Sequence, residues 1–172
     1  MEERKGVVTF KGEPITLLGP EIKVGDKAPD FRVIAQDLSE KTWQDLFQGK
    51  PTLLSAVPSL DTGICDAETR RFNEEAGKLG DKVSVITLSV DLPFAQKRWC
   101  GAAGIENVDV LSDYRDLSFG DNYGCHIKEL RLLARAVFVV DGSGEVRYVQ
   151  YVPEIGQHPD YDSALSALTA LL

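Results

Sequence analysis

The sequence of 172 residues contains only three cysteines and no long apolar run. Three cysteines are too few, and odd in number, for the disulfide framework of a small secreted protein. No apolar stretch is long enough to span a bilayer. The charged start, Met1–Lys5, is not followed by the apolar core of a signal peptide. These absences argue against secreted disulfide-rich and membrane-spanning classes and predict a cytoplasmic protein.

An excess of positive charge is also missing. The chain has 19 Lys and Arg against 27 Asp and Glu, which gives a formal net charge of -8. An acidic surface argues against nucleic acid or anionic membranes as partners. Hydrophobic residues make up 43% of the chain, which is usual for a globular protein. Length and composition together predict a single domain over residues 1–172.

Short apolar segments alternate with amphipathic ones along the chain. The apolar and alternating patterns predict strands at Val7–Phe10, Pro14–Leu18, Pro29–Leu38, Pro51–Val57, Val83–Val90, Val108–Leu111, Ala134–Val140 and Glu145–Val152. Helical spacing predicts helices at Thr42–Phe47, Cys65–Leu79, Pro93–Cys100, Asp116–Tyr123 and Pro159–Leu172. This order predicts a three-layer α/β fold with a mixed central sheet and an N-terminal β-hairpin.

The segment from Pro58 to Cys65 carries the strongest chemical signal. It places a thiol just after a predicted strand and at the start of a predicted helix. Backbone N–H groups and the helix dipole favour negative charge there, and the thiolate is the reactive form of cysteine. Thr62 offers a hydroxyl three residues earlier, and Cys100 offers a second thiol downstream. The pattern indicates redox chemistry through a reversible disulfide.

These residues resemble the peroxiredoxins, whose active-site pattern P-x-x-x-[ST]-x-x-C appears here as Pro58, Thr62 and Cys65. Longer matches resemble the thiol peroxidase branch of the atypical two-cysteine peroxiredoxins. They are Phe10-Lys11-Gly12, Ser59-Leu60-Asp61-Thr62-Gly63-Ile64-Cys65, Ser89-Val90-Asp91-Leu92-Pro93-Phe94-Ala95-Gln96, Trp99-Cys100-Gly101 and Leu133 to Asp141. The resemblance runs from about Lys5 to the C-terminus. It implies a thioredoxin-like fold, a homodimer and thioredoxin-dependent reduction of peroxides.

The resemblance also assigns roles to five residues. It implies that Cys65 is the peroxidatic cysteine, that Cys100 is the resolving cysteine, and that Thr62, Pro58 and Arg135 form the pocket. A guanidinium offers a permanent charge and a planar fork of donors to the reacting oxygens. We expect Thr62 to hydrogen-bond the thiolate and the peroxide, and Pro58 to shield the pocket from water. The reaction needs no metal, flavin or haem.

Cys125 lies outside this pattern, and we interpret it as a buried or idle thiol, although a side disulfide stays open. The preferred peroxide also stays open. Apolar side chains of Leu60, Ile64 and Leu92 would suit an alkyl or lipid hydroperoxide if they line the pocket.

Two other functions compete with the peroxidase. A dithiol-disulfide exchange protein of the thioredoxin type predicts a C-x-x-C motif, which this sequence lacks. A thioredoxin-fold module without enzymatic activity predicts loss of the Pro, Thr, Cys and Arg set, and all four residues are present.

Overall fold

The protein, described over all residues Met1–Leu172 by a computed structural model, is built around a mixed sheet of seven strands. The strands are β1 Glu3–Phe10, β2 Glu13–Leu18, β3 Arg32–Ile34, β4 Glu40–Thr42, β5 Thr52–Ala56, β6 Ser84–Ser89, β7 Asp109–Ser112, β8 His126–Ile127, β9 Leu132–Leu133, β10 Ala136–Val140 and β11 Val146–Tyr151. The helices are α1 Trp43–Leu46, α2 Gly63–Leu79, α3 Pro93–Ala103, α4 Ser118–Asn122 and α5 Tyr161–Thr169.

The central sheet has the strand order β11-β10-β5-β6-β7-β3-β4. Strands β5, β6 and β7 run parallel to one another, whereas β10 pairs antiparallel with both β5 and β11. Every residue of β5 and β10 is buried, as expected for strands covered on both faces. The predicted mixed sheet is confirmed.

Alternate residues of these strands enter two separate cores, which makes the fold three-layered. Leu53, Val85 and Val137 pack with Phe72 of α2 and Ala164 of α5 on one face. The opposite face carries Leu54, Ile86, Phe138, Trp43 and Phe119. This division follows from the period-2 alternation of a strand.

The predicted N-terminal hairpin is confirmed, and it has a partner that the sequence pattern did not reveal. Strands β1 and β2 join β8 and β9 in a second sheet of four strands. Val8, Leu17, Ile127 and Ala134 form a small core beneath it. Strands of two residues, such as β8 and β9, are too short to show alternation.

One predicted strand was wrong in extent. The segment Pro29–Leu38 is paired only over Arg32–Ile34, and the chain then turns back into β4. Leu38 has a positive φ, and its N–H donates to the carbonyl of Ala35 at 2.9 Å. Polar residues of the turn, including Asp37, which accepts a hydrogen bond from the Ser39 N–H, favour this reversal over a continuing strand.

The remaining predicted elements are present with shifted ends. Helix α3 continues past Cys100 to Ala103, where Gly104 ends it in the left-handed conformation. None of the helices combines the length and the apolar character that crossing a membrane would require.

Candidate active site

Cys65 lies in the first turn of α2, directly beyond the loop that leaves the buried end of β5. Its side chain is fully buried. Thr62 is the N-cap residue in extended conformation, and its carbonyl accepts the Asp66 N–H at 3.0 Å. The predicted position at a helix start is therefore confirmed, and the helix dipole favours a negative sulfur there.

Arg135 reaches Cys65 across the core from the residue just before β10. Its Nη1 lies 3.2 Å from Cys65 Sγ, and its side chain is only 2% exposed. The other side of the fork, Nε and Nη2, donates to the carbonyl of Ile155 at 3.1 and 3.0 Å. A charge this deeply buried requires partners, and these contacts fix the plane of the guanidinium against the thiol.

Glu68 completes the buried charge network. Arg135 Nη1 also donates to Glu68 Oε1 at 3.2 Å, and the Ser55 hydroxyl donates to Glu68 Oε2 at 2.6 Å. Burial raises the pKa of Glu68 from 4.5 to about 7, although Ser55 and Arg135 oppose the shift. Arg135 thus stands between two groups that can each carry a negative charge, Cys65 and Glu68.

Pro58 and Thr62 lie at the mouth of the site together with Arg135. They line a cavity of about 290 Å³, whose wall is completed by Phe10, Gly63, Ile64, Ile155 and Gly156. The Thr62 hydroxyl donates to the carbonyl of Ser59 at 3.0 Å. The expected bond between Thr62 and the Cys65 sulfur is therefore not formed in this conformation.

The three apolar side chains proposed as pocket residues, Leu60, Ile64 and Leu92, lie in different places. Ile64 lines the mouth. Leu60 is buried in the core, and Leu92 is 53% exposed. Only Ile64 among them contributes to the mouth, whereas Phe10 reaches it from the N-terminal hairpin and was not anticipated.

Cys100 lies on α3 in different surroundings. It is 8% exposed and borders a cavity of about 450 Å³. Its single polar partner is the amide of Gln36, whose Nε2 lies 3.5 Å from Sγ. Burial raises the pKa of the Cys100 thiol, and the contact with Gln36 opposes the shift. Its environment therefore favours the thiol over the thiolate, in contrast to the charged surroundings of Cys65.

Helices α2 and α3 are joined by the residues next to the two cysteines. Trp99 Nε1 donates to Asp66 Oδ1 at 2.9 Å, and Arg70 Nε donates to Asp66 Oδ2 at 2.9 Å. Both cysteines belong to one hydrophobic core, and both are free thiols. Asp66 and Trp99 therefore link the two helices beside the two cysteines.

Cys125 lies elsewhere. It is fully buried and belongs to the core on the opposite face of the sheet. Burial raises its pKa well above the ordinary range of a thiol. The interpretation of Cys125 as a buried thiol is confirmed. No group of three or more His, Cys, Asp or Glu side chains is arranged to hold a metal ion.

Sequence reasoning missed Glu68, Ser55 and Asp91. Glu68 follows Cys65 by one helical turn, so the i, i+3 rule could have placed it on the same face. Asp91 accepts hydrogen bonds from the Ser59 hydroxyl and the Leu60 N–H at 2.7 and 2.8 Å. It thereby holds the loop before Cys65. Asp91 is more than 30 positions from this loop in the sequence, so no local pattern could predict the contact.

Comparison with known proteins agrees with this geometry. The Redoxin family model matches residues 23–165. Thiol peroxidase of Bacillus subtilis (strain 168) is 59% identical over 165 residues, which cover 96% of this chain and 98% of that protein. Thiol peroxidase of Halalkalibacterium halodurans is 62% identical over 165 residues, with the same coverage of both chains.

Solved structures agree as well. A peroxiredoxin-like protein from Aquifex aeolicus has a TM-score of 0.90 and 42% identity, with both chains covered completely. Thiol peroxidase from Chromobacterium violaceum has a TM-score of 0.83 at 21% identity, covering 95% of each chain, and supports the fold alone. These matches, together with the buried cysteine and arginine, show that the chain belongs to the Redoxin family and to its thiol peroxidase branch.

Proposed function

We propose that this protein reduces hydrogen peroxide and organic hydroperoxides through Cys65, and that Cys100 resolves the oxidised cysteine. The observation that carries the proposal is the 3.2 Å contact between Arg135 Nη1 and Cys65 Sγ. It places a fixed positive charge beside a thiol at a helix N-terminus. The chain is a thiol-dependent peroxidase of the peroxiredoxin type, in keeping with relatives that are 56–62% identical over nearly all of it.

In the first step, the Cys65 thiolate attacks one oxygen of the peroxide. A sulfur–oxygen bond forms and the O–O bond breaks, so that sulfur is oxidised and the peroxide is reduced. The leaving oxygen takes a proton and departs as water or an alcohol, and Cys65 becomes a sulfenic acid. Arg135 stabilises the negative charge that develops on the leaving oxygen, while Pro58 limits the access of water.

In the second step, Cys100 attacks the sulfenic acid and a disulfide forms with loss of water. A disulfide requires the two Cα atoms to lie within about 7 Å. The helical positions of both cysteines and the Asp66–Trp99 hydrogen bond support a cycle in which these helices unwind locally. The segments concerned are Asp61–Phe72 and Pro93–Gly101.

The cycle closes with an external dithiol, which we assign to thioredoxin. The protein acts in the cytoplasm in this proposal, as a single thioredoxin-like domain that pairs into a homodimer around the active-site loops. These assignments rest on the resemblance of the sequence to the family. Sedimentation in both redox states tests the dimer, and a monomer at micromolar concentration in both states would reject it.

The mouth of the site favours organic hydroperoxides alongside hydrogen peroxide. Phe10, Pro58, Ile64 and Ile155 give the mouth an apolar wall, and the cavity of about 290 Å³ has room for an alkyl chain. Apolar contact with that chain would lower KM for an alkyl hydroperoxide relative to hydrogen peroxide.

The experiment is mass spectrometry of the intact reduced protein after one equivalent of hydrogen peroxide. We expect a loss of two mass units and a mapped disulfide between Cys65 and Cys100. A disulfide that includes Cys125 would reject the proposed pairing. Peroxide consumption with a thioredoxin system completes the test, since exchange of disulfides without peroxide consumption would favour the dithiol exchange function.

Hydrogen exchange tests the rearrangement. We expect Asp61–Phe72 and Pro93–Gly101 to lose protection in the oxidised protein, because their helical hydrogen bonds open when the disulfide closes. Equal protection in both redox states would show that the disulfide forms without unwinding.

A further inference from the structure

The orientation of Arg135 depends on a main-chain carbonyl in a loop. Two of the donors on the guanidinium, Nε and Nη2, converge on the carbonyl of Ile155. The loop lies between β11 and α5, and the Val152 N–H donates to the carbonyl of Arg135 at 3.0 Å. If the Ile155 carbonyl moved, the guanidinium would lose the acceptor that sets its plane.

Glu154 holds this loop against the N-terminal hairpin. Its Oε1 accepts from the Thr9 hydroxyl at 3.0 Å and from the Gly12 N–H at 2.9 Å. Its Oε2 accepts from the Gly156 N–H at 2.9 Å, on the other side of Ile155. A single carboxylate thus connects the hairpin to the residues that flank the Ile155 carbonyl.

Backbone bonds run through the same junction. The Thr9 N–H donates to the Pro153 carbonyl at 2.8 Å, and the Ile155 N–H donates to the Thr9 carbonyl at 3.0 Å. Both residues of the hairpin turn, Lys11 and Gly12, have positive φ, as a tight type I′ turn requires. This geometry directs the Gly12 N–H at the Glu154 carboxylate.

We propose that Glu154 is a positioning residue for peroxide reduction, which acts through the Ile155 carbonyl to hold Arg135 in line with Cys65. The inference rests on the proposed roles of Cys65 and Arg135. Glu154 does not line the mouth of the site, so its effect must pass through the loop. Its pKa is lowered, chiefly by the backbone donors of Gly156 and Gly12, so the carboxylate stays ionised and able to accept all three bonds at neutral pH.

The test compares two reactions of Cys65 in the reduced protein. Peroxide reduction needs Arg135 aligned with the leaving oxygen, whereas alkylation by iodoacetamide expels iodide and needs only a thiolate. We expect Glu154→Ala to lower the first-turnover rate with hydrogen peroxide roughly tenfold, because small displacements of a positioned group cost this much or more. The alkylation rate, followed at the Cys65 peptide by mass spectrometry, should fall much less. Glu154→Gln keeps one acceptor oxygen and should lie between Glu154→Ala and the wild type.

Glu13→Ala is the matched control, since it removes an exposed carboxylate from the same hairpin. It should keep the wild-type rates in both reactions. A double-mutant cycle with Arg135→Lys adds a second criterion. If Glu154 acts through Arg135, Glu154→Ala should cost little more in the Arg135→Lys background.

Three results would overturn the inference: an unchanged peroxide rate in Glu154→Ala, an equal fall in both reactions, or losses that add fully in the double mutant. The proposed function is judged separately with Cys65→Ser. If Cys65→Ser still reduces peroxide, the site itself is wrong. If Cys65→Ser is inactive and any of the three results is found, only the role of Glu154 fails.

Discussion

The surroundings of Cys65 and Cys100 differ although both thiols belong to one core. Cys65 is fully buried, in contact with a guanidinium that is itself held by two other acceptors, the Ile155 carbonyl and Glu68. Cys100 borders an open cavity, and its single polar contact is a long one to Gln36. The first environment is built to stabilise a negative sulfur in one position. The second raises the pKa of the Cys100 thiol by burial and gives its sulfur one weak polar contact, so the two steps of the proposed cycle place opposite demands on the fold.

The largest effect should come from removing the assisted thiol. Cys65→Ser should abolish peroxide consumption, because a serine hydroxyl is far less nucleophilic than the thiolate. The measurement is peroxide loss under first-turnover and steady-state conditions. Substantial remaining turnover would show that another residue attacks the peroxide and that the surroundings of Cys65 do not serve this step.

Removing Cys100 should separate the two steps. Cys100→Ser should still form the Cys65 sulfenic acid in the first turnover, because Arg135 and Cys65 are untouched, but it should stall in steady state with thioredoxin. A sulfenic acid trap and a recycling assay give the two readouts. Normal steady-state turnover would show that Cys125 or a second subunit resolves the intermediate.

The shape of the cation near Cys65 should matter as well as its charge. Arg135→Lys keeps the positive charge but loses the planar fork, since the three donors of an ammonium cannot replace the four bonds that the guanidinium makes to Ile155, Glu68 and the sulfur. We expect a first-turnover rate slower by roughly tenfold or more, equivalent to about 1.4 kcal/mol of barrier. An unchanged rate in stopped-flow measurements would mean that Arg135 has a structural role only.

Glu68 should make the stability of the protein depend on pH. Burial raises its pKa in the folded state from 4.5 to about 7. The folded protein therefore holds a proton that the unfolded chain releases between these values, so the contribution is fully present below pH 4.5 and is lost as pH rises through about 7.

We expect the free energy of unfolding of the wild type, relative to Glu68→Gln, to fall over this range by about 3 kcal/mol at most. Denaturant unfolding at several pH values measures this difference. A difference that stays constant or rises with pH would show that Arg135 keeps Glu68 ionised throughout.

The smallest effect should come from the third cysteine. Cys125 lies in the core of the opposite face, so Cys125→Ala should leave peroxide consumption within about twofold of wild type while lowering stability by roughly 1 kcal/mol through the cavity it creates. Peroxide assays and thermal unfolding distinguish the two effects. Loss of recycling in this variant would show that Cys125 takes part in the catalytic cycle.

Much of the fold was predictable because its signals are local. Val83–Val90 is rich in β-branched residues, and Ser84–Ser89 is the strand that forms. Pro93 marks the start of α3 as expected. The return of the chain at Leu38 was missed although the polar residues Asp37 and Ser39 signal a turn locally. The strands β8 and β9 were missed because a two-residue strand is specified by its neighbours in space.

The candidate site also combines residues with local sequence signals and residues that only the fold brings together. Cys65, Pro58 and Thr62 are close in the sequence, and their placement around the head of α2 follows from strand, loop and helix patterns. The resemblance to the family gave the role expected for Arg135, but not its partners. Glu68 could have been placed by helical periodicity, whereas the carbonyl of Ile155 carries no side-chain signal at all.

The sequence by itself determined the alternation of strands and helices, the hairpin at the N-terminus and a thiol at a helix start. Each of these depends on residues a few positions apart, whose spacing is written directly in the chain. Only the tertiary structure decided how Arg135 meets that thiol and which groups hold the guanidinium in place. Arg135 and Cys65 are separated by 70 positions in the chain, and the fold alone brings them together. A buried guanidinium is stable only when its donors are bonded, so Glu68 and the Ile155 carbonyl, which are also distant in the sequence, must lie within its reach.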